Sequence, residues 1–400
     1  MRIIVYTGKG GVGKTSVAAA TAVQLATQGL RTLVMSTDAA HNLSDCFQLS
    51  LGAEPVQITE NLWGQEIDNI QETEKNWGAM QTWFSGVIDW SGLSEVSAEE
   101  MIAFPGMEEL FSLLKIIDHA KSKKFDVLIV DCAPTGETLR LLSYPNVLTW
   151  WLDKIFPYQR RFAKLARPVA KWATGGLELP NDEVMGETER LFRKVIDVQN
   201  ILLDHQTTSI RIVVNPEKIV ISEAERAFTY LNLYGFNTDA IIVNRVLPEE
   251  AGVGYWAEWK EKQNGYLQEI QHSFHPVPVL QAPMMKSEVV GVSALNELAQ
   301  AAYQIKNPAD IFYEGKAQEL VKKEEEYQLY LALPFLDRTQ LNLAQRGDEL
   351  TIQAGSYRRK MFLPRVLLNR PILGARFIEQ RLCITFGERT QNEKGEQAND

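Results

Sequence analysis

The segment Gly8-Lys9-Gly10-Gly11-Val12-Gly13-Lys14-Thr15 matches G-x-x-x-x-G-K-[ST] in full. Glycines at this spacing let the chain take positive φ angles and turn backbone N–H groups toward one anion. An apolar run, Ile3–Tyr6, precedes the loop, and a helix-forming stretch, Ser16–Thr27, follows it. The positive end of that helix adds a field that favours phosphate. Lys14 is expected to reach the β- and γ-phosphates of a nucleotide. Thr15 is expected to bind Mg²⁺ directly, with Ser16 beside it at the helix start. A second cation, Lys9, sits inside the loop. A second cation is not needed to hold phosphate in the same chain; one physical use is to neutralise charge at a neighbouring subunit's phosphates, and the alternative is a solvated loop lysine.

Hydrolysis at such a loop needs carboxylates nearby. Phe125–Asp131 is an apolar run that ends in Asp131. A carboxylate at the C-terminal end of a parallel strand faces the ligand crevice of an α/β sheet, and Asp131 is expected to hold Mg²⁺ through water. Thr135 and Gly136 follow closely and are expected to sense the γ-phosphate and move on hydrolysis. Thr32–Ser36 leads into Asp38, which is expected to orient or deprotonate the attacking water. His41 is not assigned general-base chemistry. Asp38, Lys9 and Lys14 form the expected catalytic set.

These residues need a scaffold. Ile3–Tyr6, Thr32–Ser36, Val127–Val130, Arg211–Val214, Ala240–Val243 and Val277–Leu280 are short, β-branched-rich and nearly continuously apolar. Alternating with helices, they predict a parallel sheet covered on both faces. Two stretches, roughly Asp68–Ala120 and Tyr144–Gln206, read as helical insertions. Met80, Trp83, Phe84, Met101, Phe104, Trp151, Phe156 and Phe162 are candidates there for an apolar groove. After Pro308 the composition changes. Residues 311–326 read as a charged linker, with Lys316–Glu326 a charged helix or connector. From Tyr327 to 387 the apolar period becomes two, which predicts a small antiparallel β sandwich. Residues 388–400 read as a disordered tail.

The 400 residues suggest two or three domains. A net charge of −10 argues against bulk attraction to nucleic acid. The cysteines Cys46, Cys132 and Cys383 are widely spaced and form neither a disulfide framework nor a zinc pattern. The first apolar run is too short for a signal peptide, and no stretch matches a membrane span. A cytoplasmic protein that does not itself cross a membrane is therefore expected.

Taken together, the motifs resemble those of the ArsA-type ATPases, a family that includes the arsenite-pump ATPase and the ATPase that targets tail-anchored membrane proteins. The match rests on the doubled-lysine loop, on Ser36-Thr37-Asp38-Ala39-Ala40-His41-Asn42 and on Asp131–Arg140. Phe104–Glu109 is similar to a further family element. The resemblance implies an α/β P-loop NTPase fold and ATP with Mg²⁺ as cofactors. It implies that Asn244 recognises adenine, that Glu217 contacts nucleotide, and that the loop containing Pro283 packs on the base. It also implies a homodimer that captures hydrophobic segments of client proteins, such as those of tail-anchored proteins. A metalloid-transport ATPase and a nucleotide-gated regulator without such a client are the alternatives.

Three departures qualify it. Ala39 replaces a proline. No C-x-x-C lies between Asn244 and Trp259, so zinc is not expected. One P-loop and no clustered thiols disfavour arsenite sensing. Tyr327–Phe386 resembles the α-crystallin domain attached to some bacterial and photosynthetic-lineage members.

Overall fold

The computed structural model describes residues 1–37, 42–68, 112–132, 182–315, 318–324, 326–336, 341–347, 349–354, 357–378 and 381–388. Asp38, His41, Thr135, Gly136, all eight groove candidates and residues 389–400 lie outside these described residues.

The first half runs β1 (Arg2–Thr7), α1 (Lys14–Thr27), β2 (Thr32–Ser36), α2 (Asn42–Phe47), β3 (Val56–Thr59) and β4 (Leu62–Glu66). There follow α3 (Lys115–Ser122), β5 (Val127–Asp131), α4 (Asp182–Leu202), β6 (Thr208–Val214) and α5 (Lys218–Tyr234). Then come β7 (Thr238–Val246), α6 (Ala257–Ser273), β8 (Val279–Pro283) and α7 (Gly291–Tyr303). The strands form one eight-stranded sheet in the order β3-β4-β2-β5-β1-β6-β7-β8. All neighbours are parallel except β3 and β4. Every expected parallel strand is present. Their continuous apolar character has the expected cause, since β2 and β5 are buried along their whole length.

The edge pair β3–β4 was not foreseen. Strand β4, Leu62-Trp63-Gly64-Gln65-Glu66, reads as polar, yet Gln65 and Glu66 are buried. Gln65 donates to the Ala53 carbonyl at 2.6 Å and meets His119 Nε2 at 2.7 Å. Glu66 accepts from the Ser44 amide at 2.8 Å and its hydroxyl at 2.7 Å. Paired polar groups can be buried where isolated ones cannot, so apolar periodicity misses this strand.

One side chain secures the middle of the sheet. Arg211, fully buried on β6, binds Asp239 of β7 at 3.1 Å and the Pro308 carbonyl at 2.8 Å. Its guanidinium lies 4.5 Å from the Phe312 ring centre. An arginine fork with a carboxylate, carbonyls and a ring can hold its charge away from water. The segment after α7 is thereby fixed to the sheet.

The remaining strands are β9 (Gln318–Lys323), β10 (Glu326–Ala332), β11 (Leu341–Arg346), β12 (Glu349–Ala354), β13 (Tyr357–Phe362), β14 (Ile372–Ile378) and β15 (Arg381–Phe386). They make two antiparallel sheets, β14-β15-β10-β9 and β11-β12-β13. Leu329 and Leu331 of β10, Leu350 and Ile352 of β12, and Leu382 and Ile384 of β15 share one buried cluster. Two sheets closed over one core form the expected sandwich.

Strand β9 corrects the sequence expectation, because it lies inside the stretch read as a charged helix or connector. Its Leu320 packs against the sandwich core, while Gln318, Lys322 and Lys323 are exposed. Charge on an edge strand hides its period and also blocks pairing with other chains.

The chain divides into two compact units. One comprises Met1–Ala224 and Thr238–Glu314, the other Glu225–Asn237 and Gly315–Asp400. The C-terminal part of α5 thus groups with the sandwich, and Leu233 is fully buried in the sandwich core.

Candidate nucleotide site

The glycine loop joins β1 to α1 at the C-terminal edge of the sheet. Its backbone explains two of its glycines. Gly8 has φ 148°, and a Cβ there would run into the Val213 carbonyl oxygen of β6. Gly13 has φ 90°, and a Cβ there would strike the Asn244 amide of β7. The loop is therefore pressed against the ends of two neighbouring strands, as only glycine permits. Gly10 and Gly11 have open space beside them. Val12 is buried beneath the loop.

Lys14 is 6% exposed, and its Nζ donates to the Lys9 carbonyl at 3.3 Å. The ammonium is thus held inside the curl of the loop. Lys9 points elsewhere, with its Nζ 2.9 Å from Glu223 Oε1 at the surface. An exposed pair of this kind contributes little stability, so Lys9 can be drawn away at small cost. Thr15 and Ser16 are half-buried in the first turn of α1.

Asp131 ends β5, level with Tyr6 of β1 on one side and Ser36 of β2 on the other. It is fully buried. Burial pushes the nearby Cys46 thiol up to about 11; a bond with Ser16 opposes this and the charge of Asp131 adds to it. Ser16, Cys46 and Asp131 therefore share one small, electronegative region at the start of α1. The Thr15 hydroxyl and the Asp131 carboxylate are hard oxygen donors, the chemistry Mg²⁺ selects. With the glycine cradle, the donor set fits a magnesium–nucleotide complex. Asp38 would follow Thr37, whose amide donates to the Asp131 carbonyl at 3.0 Å; Asp38 itself lies outside the described residues.

On the far side of the loop, Asn244 is buried and both ends of its amide are engaged. Its Nδ2 donates to the Val12 carbonyl at 2.9 Å, and its Oδ1 accepts from the Arg245 amide at 2.9 Å. Pro283 ends β8 opposite Val246 of β7. Glu217 is exposed at the turn into α5.

Glu217 also borders an open cavity of about 170 Å³, with Asn215, Arg245 and Leu247 at the strand ends and Trp256 and Trp259 at the start of α6. One wall is held firmly. Gln263 accepts from the Leu247 amide at 2.6 Å, and Lys260 donates to the Leu247 carbonyl at 2.7 Å. This cavity escaped sequence reasoning because its walls come from separate segments. Asn215 nonetheless carried a readable signal: it follows the end of β6 as Asn244 lies near the end of β7.

Known proteins bear on this geometry. The profile of the ArsA family, described as an anion-transporting ATPase, matches residues 1–304. A second profile, the HSP20-like domain found in ArsA, matches residues 324–386. The chain is 41% identical to a putative arsenical pump-driving ATPase of Prosthecochloris vibrioformis over 388 residues, 96% of each chain. It is 38% identical to putative arsenical pump-driving ATPase 1 of Aquifex aeolicus, over 92% of this chain and 96% of that one. To ATPase GET3 of Phaeosphaeria nodorum it is 32% identical over 308 residues, 74% of this chain and 93% of the relative. The loop, the strand-end carboxylate and these matches agree, and the chain belongs to the ArsA family of ATPases, with an HSP20-like domain after the ATPase domain.

Proposed function

We propose that this ATPase works as a homodimer that uses ATP to switch between two shapes, binding hydrophobic protein segments in one and releasing them in the other. The observation that carries the reading is the pairing of a complete phosphate loop with a second loop lysine that its own chain does not bury. Lys14 occupies the loop interior. Among the described residues Lys9 pairs with Glu223 at the surface, which supports a role toward a second subunit. An exposed apolar run supports a protein contact on the same side of the sheet. Val253, Tyr255, Trp256 and Trp259 are 78%, 86%, 51% and 54% exposed. Such a cluster is unusual on a lone soluble chain.

Magnesium, held by Thr15 directly and by Asp131 through water, would supply charge neutralisation at the phosphates. The chain's own groups position the rest. Lys14 binds phosphate oxygens, Asp38 accepts the proton of the attacking water, and Thr135 and Gly136 register the γ-phosphate. Among the described residues, no helix is long and apolar enough to cross a membrane.

The names of the bacterial relatives favour a second reading, a metalloid-pump ATPase. The thiols argue against it. Soft metalloids need several accessible thiolates together. Cys46, Cys132 and Cys383 are all buried, and Cys383 sits in the sandwich core with no exposure. Co-purification from the native cell, with and without ATP, tests the preferred reading. Nucleotide-dependent recovery of proteins bearing apolar helices is expected. Recovery of no such protein in either state would overturn it.

A further inference from the structure

Strand β4 also ends in a carboxylate. Glu66 lies level with Ser36 of β2, and Ser36 is level in turn with Asp131 of β5. Three neighbouring strands therefore end together on the ligand edge of the sheet. Glu66 is only 5% exposed. Withdrawing a carboxyl group from water is costly, and a leucine would avoid that cost. The carboxylate is explained by a task that an apolar side chain cannot perform.

Both of its oxygens bind one residue. Oε1 accepts from the Ser44 amide at 2.8 Å and Oε2 from the Ser44 hydroxyl at 2.7 Å. The Ser44 hydroxyl oxygen accepts in turn from the Leu51 amide at 3.1 Å. The Glu66 amide donates to the Gly52 carbonyl at 3.0 Å. The return of the chain from α2 to β4 is stapled at both ends, and a satisfied buried network of this kind specifies one arrangement. Helix α2 is held toward the phosphate loop as well, because the Cys46 thiol shares a side-chain hydrogen bond with Ser16 at the start of α1.

The consequence falls on the segment before α2. Thr37 is fixed by the bond from its amide to the Asp131 carbonyl at 3.0 Å. Helix α2 begins at Asn42. Only the four residues 38–41 join the two, and Asp38 is the first of them. Chain reach grows with residue number, so the start of α2 limits where Asp38 can stand.

We propose that Glu66 is a positioning residue for hydrolysis: by clamping Ser44 it fixes the start of α2 and so aims the Asp38 carboxylate at the attacking water. The assignment rests on the reading of Asp38 as the group that takes that water's proton. Glu66 acts through α2 and leaves the binding of the phosphates to the loop.

The test pairs steady-state hydrolysis with equilibrium Mg–ADP binding in the full chain, in Glu66→Ala, Glu66→Gln and Ser44→Ala, and in Glu66→Ala combined with Asp38→Asn. Glu66→Ala should lower kcat by up to about a hundredfold, the cost of a misplaced catalytic group, with Mg–ADP affinity nearly unchanged. Ser44→Ala removes one of the two bonds and suits a helix, so its kcat should fall between. Glu66→Gln can accept from the Ser44 amide while its own N–H₂ donates to the Ser44 hydroxyl oxygen, and should retain most of the rate. In Asp38→Asn the further change Glu66→Ala should cost nothing more, because both losses pass through one group. A native kcat in Glu66→Ala overturns the assignment. So does an equal proportional loss in the Asp38→Asn background, or a rate loss matched by lost Mg–ADP binding. Should Glu66→Ala fail to fold, Ser44→Ala decides, and a native kcat there overturns the assignment. Native rates in Asp38→Asn would instead remove the Asp38 reading on which it rests.

Discussion

At the scale of single residues, binding and turnover rest on different side chains. Lys14 is enclosed by the loop, so Lys14→Ala removes a side-chain cation from inside the cradle and should weaken nucleotide binding as well as rate. Asp38→Asn retains size and polarity but cannot accept a proton. It should bind ATP normally and hydrolyse it at least about a hundredfold more slowly, as loss of a positioned base does. Steady-state hydrolysis beside equilibrium binding separates the two. Native rates in Asp38→Asn would remove it from the mechanism. The residues most easily read from the sequence are those that form one contiguous motif, since the loop's spacing fixes its own geometry. Glu223 was not readable in the same way. It meets Lys9 only after more than two hundred residues have folded back, and a linear pattern carries no record of that.

At the scale of elements, apolar period revealed the buried strands and missed those stabilised by polar pairing. Strand β4 lies beside α3 through Gln65 and His119. Burial, the largest influence, holds the His119 imidazole below its ordinary value. Protons then bind the unfolded chain more readily than the folded one. Stability should be intact above the ordinary histidine range of about 6.5 and decline as pH falls through it. Part of that acid slope should vanish in His119→Gln, measured as the melting temperature between neutral and acid pH. An identical slope in the variant would assign the effect to other groups.

Helix α5 offers a second test at this scale. Leu233 is fully buried in the sandwich core, a placement that nothing in the linear sequence marks. Leu233→Ala should cost the sandwich about 2–5 kcal/mol, the usual penalty for a cavity left by leucine, with ATP binding retained. Denaturation followed separately by nucleotide binding and by β-sheet signal would show it. A loss below 0.5 kcal/mol, on the order seen at surfaces, would mean that the helix does not contribute to that core.

At the scale of the whole molecule, the proposed role of Lys9 toward a second subunit can be tested in mixed dimers. If it serves a partner's site, Lys9→Ala and Asp38→Asn subunits are each inactive as homodimers. A mixed dimer retains one site with both residues. Mixing them should recover a fraction of native hydrolysis. Absence of recovery, with subunit exchange demonstrated, would confine Lys9 to its own chain. The sequence could suggest this arrangement but not display it, because a partner's contribution is absent from any single chain's pattern. The same holds for the apolar run Val253–Trp259: its composition was visible, while its exposure required the fold.

Nucleotide state should control the grip on hydrophobic segments, and one affinity comparison addresses this directly. A labelled apolar helix of about 20 residues, the length that spans a bilayer, is titrated into Asp38→Asn protein saturated with ATP and into native protein saturated with ADP. A ligand can follow a conformational equilibrium only through unequal affinity for its two states. Affinities that differ by tenfold or more are expected. Equal affinities, or no binding in either state, would contradict this.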